Sequence, residues 1–441
     1  MGKKLKKLVD NYGLCNRTQV MDFILENPEN LNVDELSRIA ELVNTKRSKT
    51  AAYYTDPKTL QIIEKHLPKI NKKIIKVLEP SAGVGNFIQI IINKYKYADK
   101  LIIDLNDIDQ ESIDIIKLLN QYRDIPSNVE INYFNQDYLT FNSHEKYDLI
   151  VGNPPFLKLS KKSGLEHYSS IFNDDITKNI AGFFLQKSLD ISENVALILP
   201  KYFLHNNDFS ATRETVNNFN MHTIVDFGEN GFKGVLIETI SLFVNTTKKP
   251  DETIVYSITK ELINKQKQEK ITSDEFPSWV IYRNKFFDDL ISKMDFHIFK
   301  AFRDRQITNK LLKDHGDIRV IKSRNINREG TKIVNIENYD GFIDKEDLDN
   351  LSVKKYLNRD DVYLCPNMTY YPRVIKKPKG AVVNGSVAIL ENISNKEITN
   401  KQLKFFSSST FEEFYRIARN YSTRSLNIDS NSVTFFGLLK E

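Results

Sequence analysis

A chain of 441 residues with 40% hydrophobic and 11% aromatic side chains exceeds one typical domain and can build packed cores, which excludes wholesale disorder. Its 63 Lys and Arg against 58 Asp and Glu leave a net charge of +5, which permits a polyanionic partner without requiring one. Two cysteines exclude a disulfide framework and a cysteine-rich zinc site, the seven histidines show no metal-ligand spacing, and no apolar run reaches transmembrane length. A cytoplasmic setting with neither a membrane nor a metal is therefore expected.

The lysine-rich stretch from Met1 to Leu8 lacks the apolar core of a signal peptide. Residues 18–44 predict two short helices, the second opened by a capping box of Asn32 and Glu35 and striped by Val33, Leu36, Ile39, Ala40 and Val43. From Ile74 short apolar runs alternate with helical stretches: 74–78, 101–105, 131–134, 147–151, 195–199 and 223–227, with a further β-rich run at 237–244. This alternation predicts a doubly wound, mainly parallel α/β sheet. Beyond about residue 260 it stops. Lys265–Asp274 is polar enough for a linker, an amphipathic segment spans Phe286–Phe302, and the remainder is irregular and reads as α+β. The expected domains are an N-terminal helical segment at 1–48, the α/β domain at 49–260 and a third at 261–441.

The first strand runs into Glu79-Pro80-Ser81-Ala82-Gly83-Val84-Gly85-Asn86-Phe87, where glycines allow a tight turn into a helix and close approach of a ligand. The third glycine of a dinucleotide fingerprint is replaced by Ile88, and Glu79 would repel a pyrophosphate. That carboxylate favours a ligand with an ammonium group, as in S-adenosylmethionine. Pro80, Ser81, Gly83 and Asn86 are expected to help hold it. The second strand ends at Asn106-Asp107-Ile108-Asp109, where a carboxylate suits ribose hydroxyls; Asp109 equally suits a helix cap. The third ends at Gln136-Asp137-Tyr138, with Asp137 placed to accept from an adenine amine.

The fourth strand ends in Asn153-Pro154-Pro155-Phe156, whose two prolines stiffen the turn and remove two backbone donors. An adenine N6 amine is a poor nucleophile because its lone pair is delocalised. Two acceptors, the Asn153 side-chain oxygen and the Pro154 main-chain carbonyl, would favour a pyramidal nitrogen aimed at a sulfonium methyl. Rate then comes from orientation and electrostatic placement, without a metal or covalent intermediate. Phe156 offers a stacking face for a base extruded from a duplex.

With these residues the chain resembles the gamma-class adenine-N6 DNA methyltransferases of restriction–modification systems over about 45–245. Ala51 to Pro57 resembles the family's leading motif, which gives Thr55 a cofactor contact and places Tyr53 near the substrate base. Gly182 to Leu185 makes Phe184 a wall of the cofactor's adenine pocket, and Phe227 to Phe232 sets Phe232 against the flipped base. Phe156 stands where tyrosine is common. The resemblance implies a Rossmann-like methyltransferase sheet at 49–260 and a C-terminal α+β target recognition domain for double-stranded DNA at 261–441. It also implies a type II system and a separate cognate endonuclease acting on the same site.

Candidate DNA contacts in the C-terminal half are Arg319, Lys322, Arg324 and Arg328; Arg373, Lys376, Lys377 and Lys379; and Arg416, Arg419, Tyr421, Thr423 and Arg424. Two other readings stay open: an enzyme of the same fold acting on RNA or on a protein glutamine, and an inactive DNA-binding specificity subunit.

Overall fold

The computed structural model describes residues 2–43, 55–141, 145–231, 237–369, 371–423 and 427–440. The chain divides into two compact units, Met1–Glu269 and Lys270–Glu441.

The first unit opens with three helices, α1 (Gly2–Asn11), α2 (Arg17–Glu26) and α3 (Val33–Leu42). The lysine-rich start is thus itself helical, and Leu5 and Leu8 are buried. Asn16 caps α2 by accepting the Gln19 N–H at 3.0 Å, and the Asn32–Glu35 capping box is present on α3. These helices share one core cluster with Val84, Ile115 and Leu119, so they are built onto the α/β body that follows. The expected boundary at 48/49 lies outside the described residues. Asp56 then caps α4 (Pro57–His66), where proline at the first position supplies a preset φ.

The body is a nine-stranded sheet ordered β3-β2-β1-β4-β5-β7-β6-β8-β9. Its strands are β1 (Ile74–Glu79), β2 (Lys100–Asp107), β3 (Val129–Asn135), β4 (Leu149–Gly152), β5 (Asn194–Pro200), β6 (Asn220–Gly228), β7 (Thr239–Asn245), β8 (Glu252–Ser257) and β9 (Leu262–Lys267). Strands β1 to β5 run parallel, whereas β7 lies antiparallel between β5 and β6. The near-continuous apolar content of β4 and β5 follows from burial on both faces. The connecting helices are α5 (Ile88–Tyr95), α6 (Gln110–Leu119), α7 (Leu165–Phe172), α8 (Ile180–Ile191) and α9 (Ser210–Val216).

Two expectations change here. The boundary at 260/261 falls inside the β8–β9 hairpin, where Glu261 adopts φ 50°. Lys265–Lys267, read as the start of a linker, pairs with Glu252–Ile254 instead, and Lys265 meets Glu252 at 2.8 Å. An outermost strand is solvated on most sides, so its composition matches that of a linker.

In the second unit, the segment expected to be amphipathic over 286–302 splits into α10 (Lys285–Ile291), β10 (Met294–Asp295) and β11 (Phe299–Arg303). His297, at φ 60°, lies between the two strands. The rest contains β12 (Ile318–Ile321), β13 (Gly341–Ile343), β14 (Val362–Pro366), β15 (Ile375–Lys376), β16 (Ala381–Val383) and β17 (Val387–Asn392). They form a four-stranded sheet, β11-β17-β14-β15, and a three-stranded sheet, β13-β12-β16. Val320, Val362, Leu364, Val382 and Ile389 lie in one core between them. Helices α11 (Asn400–Phe405) and α12 (Ser409–Ala418) follow, and β18 (Leu438–Leu439) pairs with β10.

Candidate cofactor and active site

Chain order reverses between β1 and β4, the place where open α/β sheets leave a crevice beyond their carboxyl ends. A cavity of about 260 Å³ sits there, lined by residues that follow β1, β2, β3 and β4 together with Tyr168 and Phe184. After β1, Pro80, Ser81 and Gly83 reach it. The turn closes through Gly85 N–H to Ala82 O at 2.7 Å, with Gly83 at φ 59° and Gly85 at φ 75°. A Cβ on Gly85 would stand 2.5 Å from Ile88 Cδ1, so glycine is required there both by conformation and by space.

Asp107 ties the loops together. One carboxylate oxygen accepts the Gly83 N–H at 2.8 Å and the other the Asp109 N–H at 2.9 Å. Burial pushes its pKa up, partly offset by these main-chain donors. Asn106 bridges the ends of β1 and β3, donating to Pro80 O and Gln136 O at 3.2 Å each. Ile108 lines the cavity yet is 69% exposed, which suits an apolar wall for a ligand's ring. Asp109 also lines the cavity and stands at the N-cap of α6 without a side-chain cap bond. Opposite lie Asp137, Tyr138 and Phe184; the last two rings are 4.9 Å apart, and Tyr138 O–H is held by Ser188 at 2.9 Å.

Glu79 is only 1% exposed and lies beneath this cavity rather than in its wall. Its Cγ is 3.7 Å from where a Gly152 Cβ would be, so it underlies the β1–β4 junction. Burial pushes its carboxyl well up, against a smaller pull from Arg123. Its Oε2 is buried and has no hydrogen-bond partner among the described residues. An orphaned acceptor of this kind, next to a cavity edged by Asp107 and Asp137, fits a cationic, polar cofactor of the S-adenosylmethionine type.

At the β4 turn, Asn153 and Pro155 reach the cavity while Pro154 and Phe156 are buried beside it. Ser81 Oγ donates to Asn153 O at 3.2 Å, so the first and fourth strand ends are in contact. Asn153 Nδ2 donates to the buried Thr55 Oγ1 at 3.3 Å, which sets the carboxamide so that Oδ1 points the other way. Thr55 therefore meets the β4 turn and not the cavity wall. Asn86 is likewise turned away, its amide donating to Glu41 on α3 at 2.8 Å. Tyr53 and Phe232 lie outside the described residues. Sequence reasoning missed Tyr168, Gln136, Leu157 and Ile180, all of which line the cavity. Gln136 could have been found from its place beside Asp137; nothing in the local pattern marks Tyr168.

In the second unit the basic candidates separate into two kinds. Arg373 is half-buried, with its guanidinium donating to Ser323 O, Ile326 O and Tyr371 O at 3.0–3.3 Å, and Arg319 donates to Val334 O at 2.9 Å and approaches Asp340. Lys377 is 1% exposed, donates to three carbonyls and is pushed down to about 8 by burial. Arg419 is buried. Arg373, Arg319 and Lys377, expected as DNA contacts, thus spend donors on main-chain carbonyls. Arg324 and Arg328 are exposed, their guanidinium carbons 4.7 Å and 4.6 Å from the ring centres of Tyr339 and Tyr371; Lys322 Nζ lies 4.1 Å from the same Tyr339 ring. Lys376 and Lys379 are exposed, Lys379 within 3.5 Å of Asp360. Arg416 pairs with Glu412 at 2.7 Å, and Tyr421 donates to Glu413. Arg424 lies outside the described residues. Among the described residues no cluster of His, Cys, Asp and Glu could hold a metal, and no helix is long and apolar enough to cross a membrane.

The strand order β3-β2-β1-β4-β5-β7-β6 with β7 reversed, the glycine turn and the acidic strand ends define a Rossmann-like methyltransferase fold. Residues 35–232 match the model of the Eco57I restriction-modification methylase family. The chain is 25% identical over 309 residues to the Type II methyltransferase M.AccI of Acinetobacter calcoaceticus, covering 67% of this chain and 52% of the relative. It is 26% identical over 197 residues to the Type II methyltransferase M.CvrRI of Paramecium bursaria Chlorella virus XZ-6E, covering 43% of this chain and 48% of the relative. It thus spans about half the length of these curated relatives. The crystal structure of the type IIG restriction endonuclease BpuSI is similar in fold, with a TM-score of 0.50 and 13% identity over 93% of this chain and 61% of that one.

Proposed function

We propose that this chain transfers a methyl group from S-adenosylmethionine to the N6 amine of adenine within a short site in double-stranded DNA, as the modification enzyme of a type II restriction–modification system with a separate cognate endonuclease. The observation that carries the reading is the meeting of the β1 and β4 ends: Ser81 bonds to Asn153, and Asn153 shares one cavity with Asp107 and Asp137.

S-adenosylmethionine supplies an electrophilic sulfonium methyl. Glu79 would compensate its positive charge, Asp107 would accept from ribose hydroxyls and Asp137 from the adenine amine, and Ile108 and Phe184 would supply apolar wall. Asn153 Oδ1 and the Pro154 carbonyl accept the two hydrogens of the target amine. Held this way the nitrogen loses conjugation with its ring and gains a directed lone pair; its surplus proton leaves to solvent after transfer. Phe156 flanks the extruded base. The α+β unit at 270–441 acts as the target recognition domain, with Arg324 and Lys376 as exposed DNA contacts.

The test is to incubate the purified chain with methyl-labelled cofactor and, separately, duplex DNA of random sequence, structured RNA and glutamine-containing protein. Labelled N6-methyladenine from the DNA digest is expected, and long-read sequencing of the product gives the site. Label appearing only in RNA or protein, or as a methylated cytosine, refutes the assignment.

A further inference from the structure

The β4 turn and α8 are joined by an excursion that is pinned at its neck. Leu159 N–H donates to Lys178 O at 2.7 Å and Ile180 N–H to Leu157 O at 2.9 Å. Its body is braced on α8 by Asp174, which accepts from Gln186 Nε2 at 2.7 Å, and by Phe172, 5.1 Å from Phe183. The excursion carries α7, and from α7 the Tyr168 side chain enters the cofactor cavity. Its hydroxyl donates to Asp137 Oδ2 at 2.9 Å, while Asp137 Oδ1 accepts the Leu139 N–H at 2.9 Å. Each carboxylate oxygen thus receives one donor, which fixes the plane of the group and leaves further lone pairs to act in the cavity. Burial, and then the hydrogen bond to Asp137, push the phenol up to about 12, so it stays a donor through the neutral range.

We propose that Tyr168 is a positioning residue that sets the Asp137 carboxylate to receive the exocyclic amine of the cofactor's adenine. This rests on the cofactor assignment made above. A phenol placed only to hold α7 against β3 would affect every ligand of the cavity alike. A phenol that aims Asp137 affects only ligands that carry the amine.

The experiment is a chemical double-mutant cycle. Binding of S-adenosylmethionine and of its analogue with hydrogen in place of the adenine amine is measured by calorimetry for wild type, Tyr168→Phe and Asp137→Asn. Wild type is expected to bind the analogue about tenfold more weakly, and Tyr168→Phe to bind S-adenosylmethionine about tenfold more weakly, as coupled neighbours of a charged hydrogen bond do. In the Tyr168→Phe protein the two ligands then bind within about threefold of each other. Asp137→Asn, which keeps the Tyr168 ring in place, is expected to lose the same discrimination. Tyr168→Phe weakening both ligands equally, or neither, overturns the assignment to Tyr168 while leaving the cofactor in place. A wild type that binds neither ligand overturns the cofactor reading and this one with it.

Discussion

Replacing Glu79 by glutamine separates folding from cofactor binding, because the two respond with opposite signs. The carboxyl is 1% exposed, its Oε2 is an orphan among the described residues, and burial raises its pKa well above the usual glutamate range. A group whose folded pKa is raised holds more protons folded than unfolded. Stability of the cofactor-free protein therefore falls as pH climbs from the usual glutamate range through the folded value, and stays low above it. Glu79→Gln should remove that slope and stabilise the cofactor-free protein near neutral pH by about 2 kcal/mol, the scale of an uncompensated buried polar group. In a unit of this size that is a rise of roughly 5 °C in Tm. Binding responds the other way. A carboxylate about 6 Å from a cation at an effective dielectric near 20 contributes on the order of 3 kcal/mol, so Kd for S-adenosylmethionine should weaken about a hundredfold. Wild-type affinity should also tighten as pH rises, because the cation favours the ionised carboxyl and binding releases a proton. Calorimetry in buffers of different ionisation enthalpy, beside thermal melts from pH 5 to 9, measures all three. An unchanged Kd, or a variant that melts lower than wild type at neutral pH, refutes the reasoning.

Further outcomes follow from the same geometry. Asn153→Ala should lower kcat by about a thousandfold, the scale of losing a placed transition-state partner, while DNA affinity by fluorescence anisotropy stays within about twofold; a variant that kept full turnover would remove the amine-acceptor role. Arg324→Ala should weaken duplex binding and flatten its dependence on salt without moving Tm, whereas Arg373→Ala should lower Tm because three carbonyls lose their donor; the reverse pattern would mean that the sorting of exposed from internal arginines is wrong. Gly85→Ala should destabilise by about 2 kcal/mol in urea unfolding, from the left-handed φ and the 2.5 Å approach to Ile88, and an unchanged midpoint would contradict both.

Most of the first unit was legible because its central strands, β1 and β4 to β7, are largely buried. Strands β1 to β7 carry apolar runs bounded by turn residues, and Glu79, Asp107, Asp137 and Asn153 fall at or just after strand carboxyl ends, where chain position alone predicts a crevice. Strand β9 was not legible, since Leu262–Lys267 lies at an edge and its polar residues say nothing about pairing. The roles of Arg319, Arg373 and Lys377 were hidden for a related reason. A cation's sequence neighbours do not reveal whether its protons go to solvent or to main-chain carbonyls that converge from distant loops. Thr55 and Asn86 were found as part of the site's surroundings, but their amide and hydroxyl contacts go to Asn153 and Glu41, which only the fold brings near.

The helices before β1 are more than a leader to the sheet. Glu41 grips Asn86 on the outer side of the glycine turn, Tyr122 O–H reaches back to Ile24 O at 2.7 Å, and Val84 at the turn's crest is sealed by the same apolar cluster that holds α1 to α3. The turn that faces the ligand is thereby backed by a wall made from the earliest part of the chain. The edge of the cavity is thus held by residues outside its wall, and clipping the chain before α4 is expected to loosen that edge before it unravels the strands.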